Sequence, residues 1–453
     1  MFAPIWYHCE HQFVNDFIPV LTVDSWVKLL YNIYDIFTPK GRIHTQEVPM
    51  KYDTHFLMTE ADAIDYAKDY LKFFQADEVL SCKEIGDGNI NYVFRIQSET
   101  TGKSLVIKQS DVLLRSAGRP LDTKHSRIEA EILTHQGKMA PGLVPEVYDY
   151  NEAMCAIAME DISAYQNVRK GLMEGIIYPT FTDDVVKFMV NTMLPTTDLV
   201  LGMKEKKDRV VHFTNPELCE ITEKLVLAEP FGSPADENVY TEENREFVRD
   251  FLYENGDIRS QVAMLRNNFM NNAQALIHGD LHSGSIFGND SGLKIIDPEF
   301  AFYGPMGYDA GNVIGNLFFA LIYWQLKDPT NTEMIDWLAS TAATVFDRST
   351  DTLSERWNDF VTFDLYREPG FKKMYIAEVM ADTVGYAGTE IIRRTVGSSK
   401  VAEVEAFALD DPLRAKMERI LIGIGNHFIL NRKRIQYGFE LIHIMKPYLL
   451  MEK

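Results

Sequence analysis

Only four cysteines occur in 453 residues, and Cys9, Cys82, Cys155 and Cys219 stand far apart with no Cys-x-x-Cys pair. That spacing supplies neither a zinc site nor a disulfide framework, and it fits a reducing cytoplasm. Runs of Lys and Arg are missing as well. With 45 basic against 66 acidic residues the formal net charge is −21. A field of that sign repels phosphate backbones and argues against a nucleic-acid partner. No N-terminal stretch has the basic, apolar and small-residue order of a signal peptide. The most apolar stretch, residues 313–324, is short and interrupted by Asn316. It predicts a buried helix rather than a membrane span. What remains is an ordinary globular composition, 46% hydrophobic and 25% charged, in a chain long enough for two lobes.

Residues 1–49 are rich in aromatic and β-branched residues but carry no motif. From Met50 the pattern is more regular. Thr59 precedes Glu60 and an apolar series through Ile64, Ala67 and Leu71, which predicts a capped amphipathic helix. From Val79 the period becomes that of strands, with short runs at 84–86, 91–97 and 104–109 separated by Gly-containing turns. A helix is expected over 124–136, then strands over 146–150 and 154–159. After Asp161 the chain reads as largely helical, with a polar loop near 229–238. The order predicts an α+β fold of two lobes: a β-rich lobe over 50–161 and a helical lobe over 162–453.

Three features of the first lobe could face a nucleotide. The turn Gly86-Asp87-Gly88-Asn89 lets backbone N–H groups approach phosphates with no Cβ in the way. A ligand-free hairpin turn would look the same. Lys108 ends the apolar run Leu105-Val106-Ile107. There it needs an acidic partner or a phosphate, because desolvating a lone ammonium is costly. Glu129, in the helix that follows, is the favoured partner, with Glu131 a less favoured one. The last strand closes on Met159 and Glu160, and with Ile162 they form a connector whose backbone can read an adenine edge. Taken alone, that connector is only a strand end.

The strongest signal is His278-Gly279-Asp280-Leu281-His282-Ser283-Gly284-Ser285, followed by Ile295-Ile296-Asp297-Pro298-Glu299. Each polar cluster follows an apolar run, so both are expected at strand ends opening on one cleft. Asp280 lies 297 − 280 = 17 residues before Asp297, close enough for a short hairpin to bring the two together. Asp280 is placed to accept a hydrogen bond from a substrate hydroxyl. Asp297 and Glu299 are hard oxygen ligands suited to Mg²⁺ bridging ATP phosphates. His278 and His282 lack a third partner at zinc spacing, and His278 is expected to brace the loop. Ser283 and Ser285 sit in no Gly-x-Ser-x-Gly elbow, which disfavours a hydrolase.

Together these motifs resemble the aminoglycoside phosphotransferase and choline kinase branch of the protein-kinase-like fold. More narrowly, the chain is similar to the 5-methylthioribose kinases. That closer likeness rests on residues 86–94, 278–287, 297–301 and 304–312 and on Arg393-Arg394, and it begins at about Met50. The resemblance implies Asp280 as catalytic residue, Lys108 on phosphate, and Asp297 and Glu299 on Mg²⁺. It also implies Arg393 and Arg394 beside the transferring phosphate, where paired guanidinium forks counter charge on phosphoryl oxygens. Ser285 stands where most kinases of this fold place a metal-binding Asn, a feature common in methylthioribose kinases. The segment 117–122 is expected to cover the site. The activity implied is ATP-dependent phosphorylation of the 1-hydroxyl of 5-methylthioribose in methionine salvage, by a cytoplasmic homodimer without membrane or nucleic-acid partners. A kinase of the same fold acting on an aminoglycoside, choline or homoserine is the nearest rival, and a nucleotide-binding module without catalysis is the rival of another class.

Residues 1–49 read either as an extension or as sequence upstream of a start at Met50, which would leave 453 − 49 = 404 residues. The intact mass of protein from the native host separates the two, and an N-terminus at Met1 rules out the second.

Overall fold

A computed structural model of the chain describes residues 51–85, 91–111, 124–232 and 237–450. The expectations for 1–49, for the Gly86–Asn89 turn and for the 117–122 segment lie outside the described residues. Helix α1 (Glu60–Asp65) starts where the sequence placed it. The Thr59 hydroxyl accepts the Asp62 N–H, and the Asp62 carboxylate accepts the Thr59 N–H in return. The predicted continuation to Leu71 is instead a wider π turn, Tyr66–Tyr70, in which the Tyr66 and Tyr70 rings stack 4.7 Å apart.

Five strands then build one antiparallel sheet: β1 (Leu80–Glu84), β2 (Asn91–Ser98), β3 (Ser104–Ser110), β4 (Val147–Asn151) and β5 (Ala156–Met159), ordered β1-β2-β3-β5-β4. Two strand expectations need correcting. The first strand runs Leu80–Glu84, not 84–86. It is an edge strand with exposed Ser81 and Lys83, and its half-polar composition hid it. The fifth begins at Ala156 rather than 154, because Cys155 adopts left-handed backbone (φ 49°) in the hairpin turn before it.

Alternation along β3 sorts its two faces. Leu105 and Ile107 pack with Phe94, Ile96, Ala63 and Tyr66 on one side, and Val106 and Lys108 face the other. Helix α2 (Lys124–Met139) covers that second face with Ala130 and Leu133.

Beyond the sheet the chain is mainly helical, giving the two-lobed α+β architecture expected. Short pairings place the motif loops: β6 (Gln166–Asn167) joins the hairpin β8 (Ile286–Asn289) and β9 (Gly292–Ile295), and β7 (Ala275–Ile277) pairs with β10 (Phe302–Gly304). Behind them stand α3 (Gly307–Lys327), α4 (Thr332–Phe360), α5 (Pro369–Val396) and α6 (Pro412–Asn431). As expected for residues 313–324, α3 is buried from Gly307 to Trp324. No described helix is long and apolar enough to cross a membrane. Glycines allow the central helices to touch backbone to backbone. A Cβ on Gly311 would lie 2.7 Å from both the Ala387 nitrogen and the Thr383 carbonyl oxygen of α5.

Those backbone atoms cannot yield as a flexible side chain would. Gly311→Ala should therefore destabilise the fold by about 1–3 kcal/mol, read as a lower denaturant midpoint. An unchanged midpoint would show that α3 and α5 can separate freely.

Candidate active site

Alternation of side-chain direction along the buried β3 aims Lys108 into a cleft, and three carboxylates meet it there. The Lys108 Nζ donates to Glu129 Oε1 at 2.8 Å and to Asp297 Oδ1 at 2.5 Å. Glu299 accepts the Asn91 side-chain amide at 3.1 Å, and Asn91 in turn accepts the Ser110 hydroxyl. Burial alone would lower the Lys108 pKa, yet Asp297, Glu129 and Glu299 together raise it above its usual value. For Glu129 burial is the larger influence. With Asp297 and Glu299 adding repulsion, its carboxyl is pushed up despite the ion pair. One ammonium thus faces three carboxylates, and the Glu129 Oε2 is buried without a hydrogen bond.

A cavity of about 550 Å³ opens from this cluster. Its apolar end is walled by Val93, Val106, Leu133, Met159, Phe287 and Ile296, and its polar end by Asn91, Lys108, Glu129, Asp297 and Glu299. Met159, Glu160 and Ile162 all line it. The Glu160 N–H is occupied by the Glu146 carbonyl at 2.8 Å. The Glu160 carboxylate takes the Lys294 ammonium at 2.7 Å and the Glu146 N–H at 3.1 Å.

The loop carrying Asp280 leaves β7 and is bolted from below by a residue to which the sequence reading gave no role. Asp309, buried in the first turn of α3, accepts the His278 and Gly279 N–H groups at 2.7 and 2.9 Å. Gly279 takes φ 84°, and a Cβ there would sit 2.2 Å from the Phe300 carbonyl oxygen, so only glycine passes. The His278 Nε2 meets the Ile296 carbonyl at 2.9 Å, and its Nδ1 accepts the Asp280 N–H at 3.3 Å. His278 therefore ties the Asp280 loop to the backbone just before Asp297. Asp297 itself is left-handed (φ 62°). Strain of that kind in a non-glycine residue is typical of a functional turn.

Asp280 sits in a second charge cluster. The His282 Nδ1 accepts the Gly284 and Ser285 N–H groups at 3.0 and 3.1 Å. The ring proton is therefore on Nε2, which lies 3.3 Å from Asp280 Oδ2. On the other side Arg393 and Arg394 approach Asp280 Oδ1 at 3.5 and 4.0 Å. Burial would raise the Asp280 carboxyl, but His282, Arg393 and Arg394 hold it far below the usual carboxylate range. Both arginines also grip Glu390, through Arg393 Nε at 2.5 Å and Arg394 Nε at 3.3 Å. Burial and the adjacent Arg393 push Arg394 down to about 10.

The structure thus groups Lys108, Glu129, Asp297 and Glu299 at the cavity, and Asp280, Arg393 and Arg394 in the neighbouring cluster, with His278 joining their loops. Glu131 turns away from Lys108, pairing with Arg127 and His212. Glu390 was missed by sequence reading, although its spacing of three and four residues before the twin arginines is a helical pairing signal.

No family model matches the chain. It is 36% identical over 391 residues to the methylthioribose kinase of Bacillus velezensis, covering 86% of this chain and 96% of that protein. The methylthioribose kinase of a Geobacillus species is 36% identical over 387 residues, covering 85% and 94%. That of Cronobacter sakazakii is 33% identical over 399 residues, covering 86% and 98%. Among solved structures, an ethanolamine kinase of Plasmodium vivax aligns with a TM-score of 0.44 at 12% identity, over 90% of this chain and 95% of that one.

The Asp280 geometry fixes a pH signature. A carboxyl whose folded pKa is depressed stabilises above its unfolded value, about 4, and that stability is lost as pH falls through the folded value. The melting temperature of the wild type should exceed that of Asp280→Asn by a constant margin from pH 7 to 5, and the margin should shrink below pH 4. A margin that stays undiminished down to pH 2 would contradict an ion-paired Asp280.

Proposed function

The chain belongs to the methylthioribose kinase family, and from that premise we propose that it transfers the γ-phosphate of ATP to the 1-hydroxyl of 5-methylthioribose, a step of methionine salvage. The observation that carries the reading is the pairing of the two charge clusters. One, at the polar end of the cavity, has an ammonium and an excess of carboxylate. The other, reached through His278, has an ion-paired Asp280 between two arginines.

We assign the apolar end of the cavity to adenine, with Met159 and Ile162 at its edge, and the polar end to the phosphates, met by Lys108. Because the Glu160 N–H is already taken, the connector would read adenine through its remaining backbone groups. The Gly86–Asn89 turn, which lies outside the described residues, is proposed to meet the phosphates through its backbone N–H groups. Asp297 and Glu299 are assigned to Mg²⁺. The donor set suits a hard cation: two carboxylates in a cluster of excess negative charge beside the buried Glu129 Oε2. Among the described residues no three His, Cys, Asp or Glu side chains group around a common point, so such a cation would share its coordination with phosphate and water. When bound, it would supply neutralisation of charge on the phosphate oxygens.

Asp280 accepts the hydrogen bond of the substrate hydroxyl and turns its oxygen toward the γ-phosphorus. Its depressed pKa keeps it ionised, and therefore an acceptor, at neutral pH. Arg393 and Arg394 stabilise charge on the transferred group. In domain terms we divide the enzyme into a nucleotide lobe over 50–161 and a catalytic lobe over 162–453. The same reading makes it a cytoplasmic homodimer.

Purified protein given ATP, Mg²⁺ and methylthioribose should form the 1-phosphate, with aminoglycoside, choline and homoserine as comparison substrates. Asp280→Ala should cut turnover by about 10²-fold or more while ATP binding by calorimetry persists. Retention of a tenth of the wild-type rate would refute the role given to Asp280.

A further inference from the structure

Arg169 follows the connector, in the short helix Val168–Glu174, and no motif drew attention to it. Its helix is anchored at both ends. Asn167 caps it by accepting the Lys170 N–H, and the Asn167 side-chain amide donates to the Gly284 carbonyl at 2.7 Å. The Trp324 indole N–H from α3 reaches the Leu172 carbonyl at 2.8 Å. Arg169 is thereby held with its guanidinium inside the second charge cluster.

There it makes three connections. Its Nε donates to the Ser283 hydroxyl at 3.1 Å, on the turn that follows Asp280. Its Nη2 donates to Asn316 Oδ1 at 2.6 Å. The Asn316 amide donates onward to Glu390 Oε1 at 3.1 Å, the carboxylate that grips both Arg393 and Arg394. Lastly, Glu403 Oε2, fully buried after the end of α5, lies 3.7 Å from Arg169 Nε and offsets part of its charge. The fit is close: a Cβ on Gly284 would fall 2.8 Å from the His282 ring and 3.3 Å from Arg169 Nη1.

We propose that Arg169 is a positioning residue for phosphoryl transfer. Its planar fork holds the Asp280 turn, through Ser283, at a set distance from the twin arginines, through Asn316 and Glu390. A lysine point charge cannot make both contacts in fixed directions. Because Asp280 and the arginines act on the acceptor and the transferred phosphoryl group, loosening the bridge lowers turnover and leaves the nucleotide cavity, lined by other residues, intact. The inference rests on the role given above to Asp280.

The test is steady-state kinetics on Arg169→Ala and Ser283→Ala, with nucleotide affinity measured separately by calorimetry. The kcat of each variant should fall roughly tenfold to a hundredfold, as misplacement of reacting groups does, with ATP affinity within about twofold of wild type. Tens of millimolar guanidinium should restore part of the kcat of Arg169→Ala, and equal potassium chloride or methylammonium should not. A kcat within about twofold of wild type overturns the inference. So does a loss of ATP affinity matching the loss of kcat, without guanidinium rescue. Should Arg169→Ala fail to fold, Arg169→Lys, which keeps the charge and removes the fork, decides by the same kcat and affinity criteria, because Ser283 also donates directly to Asn316 Oδ1 at 3.2 Å. Asp280→Ala is run alongside. If it stays active, the reading of Asp280 fails; if it is inactive and both other variants behave as wild type, the Arg169 inference fails alone.

Discussion

The Lys108 ammonium joins three elements that are remote in the chain. It ends an apolar stretch of β3, takes Glu129 from α2, and takes Asp297 from the turn after β9. Burying an ion pair is costly, and removing one partner costs more than the pair contributes, because the other charge stays behind. The three elements are therefore fixed relative to each other as long as the sheet lobe is folded on the helical lobe. Carboxylate is in excess around Lys108, and burial, with repulsion from Asp297 and Glu299 added, drives Glu129 upward. That excess of carboxylate is the arrangement on which the Mg²⁺ assignment proposed above rests.

The second cluster is balanced differently. Arg169, Arg393 and Arg394 face Asp280, Glu390 and Glu403. The surrounding cations make Asp280 a weak base, which fits the proposal that it orients an alcohol rather than removing its proton early. That suits a loose phosphoryl transition state, in which bond formation to the nucleophile lags behind departure of the leaving group. Packing keeps the geometry. Asp309 ties the loop to α3, and the glycine-lined crossing of α3 on α5 keeps the twin arginines within reach.

Much of this was legible in the sequence because the informative residues break a local pattern. A lysine closing an apolar strand, two acidic clusters after apolar runs and a capping threonine each violate a simple periodicity, and each has a contact or position that accounts for it. The misses have physical causes too. The first strand lies at a sheet edge, where polar Ser81 and Lys83 dilute alternation. The π turn at Tyr66–Tyr70 follows from aromatic stacking that no periodicity encodes. Asp309 and Arg169 went without roles because their partners lie far away in the chain: 31 residues from Asp309 to His278 and 114 from Arg169 to Ser283. Such pairings emerge only when the helices are packed.

The connector carries one more consequence. With the Glu160 amide committed to Glu146 and its carboxylate clamped by Lys294, a compound filling the cavity gains nothing from an acceptor aimed at that amide. Ligands of the cavity would draw their affinity from its apolar walls and from backbone groups other than that amide.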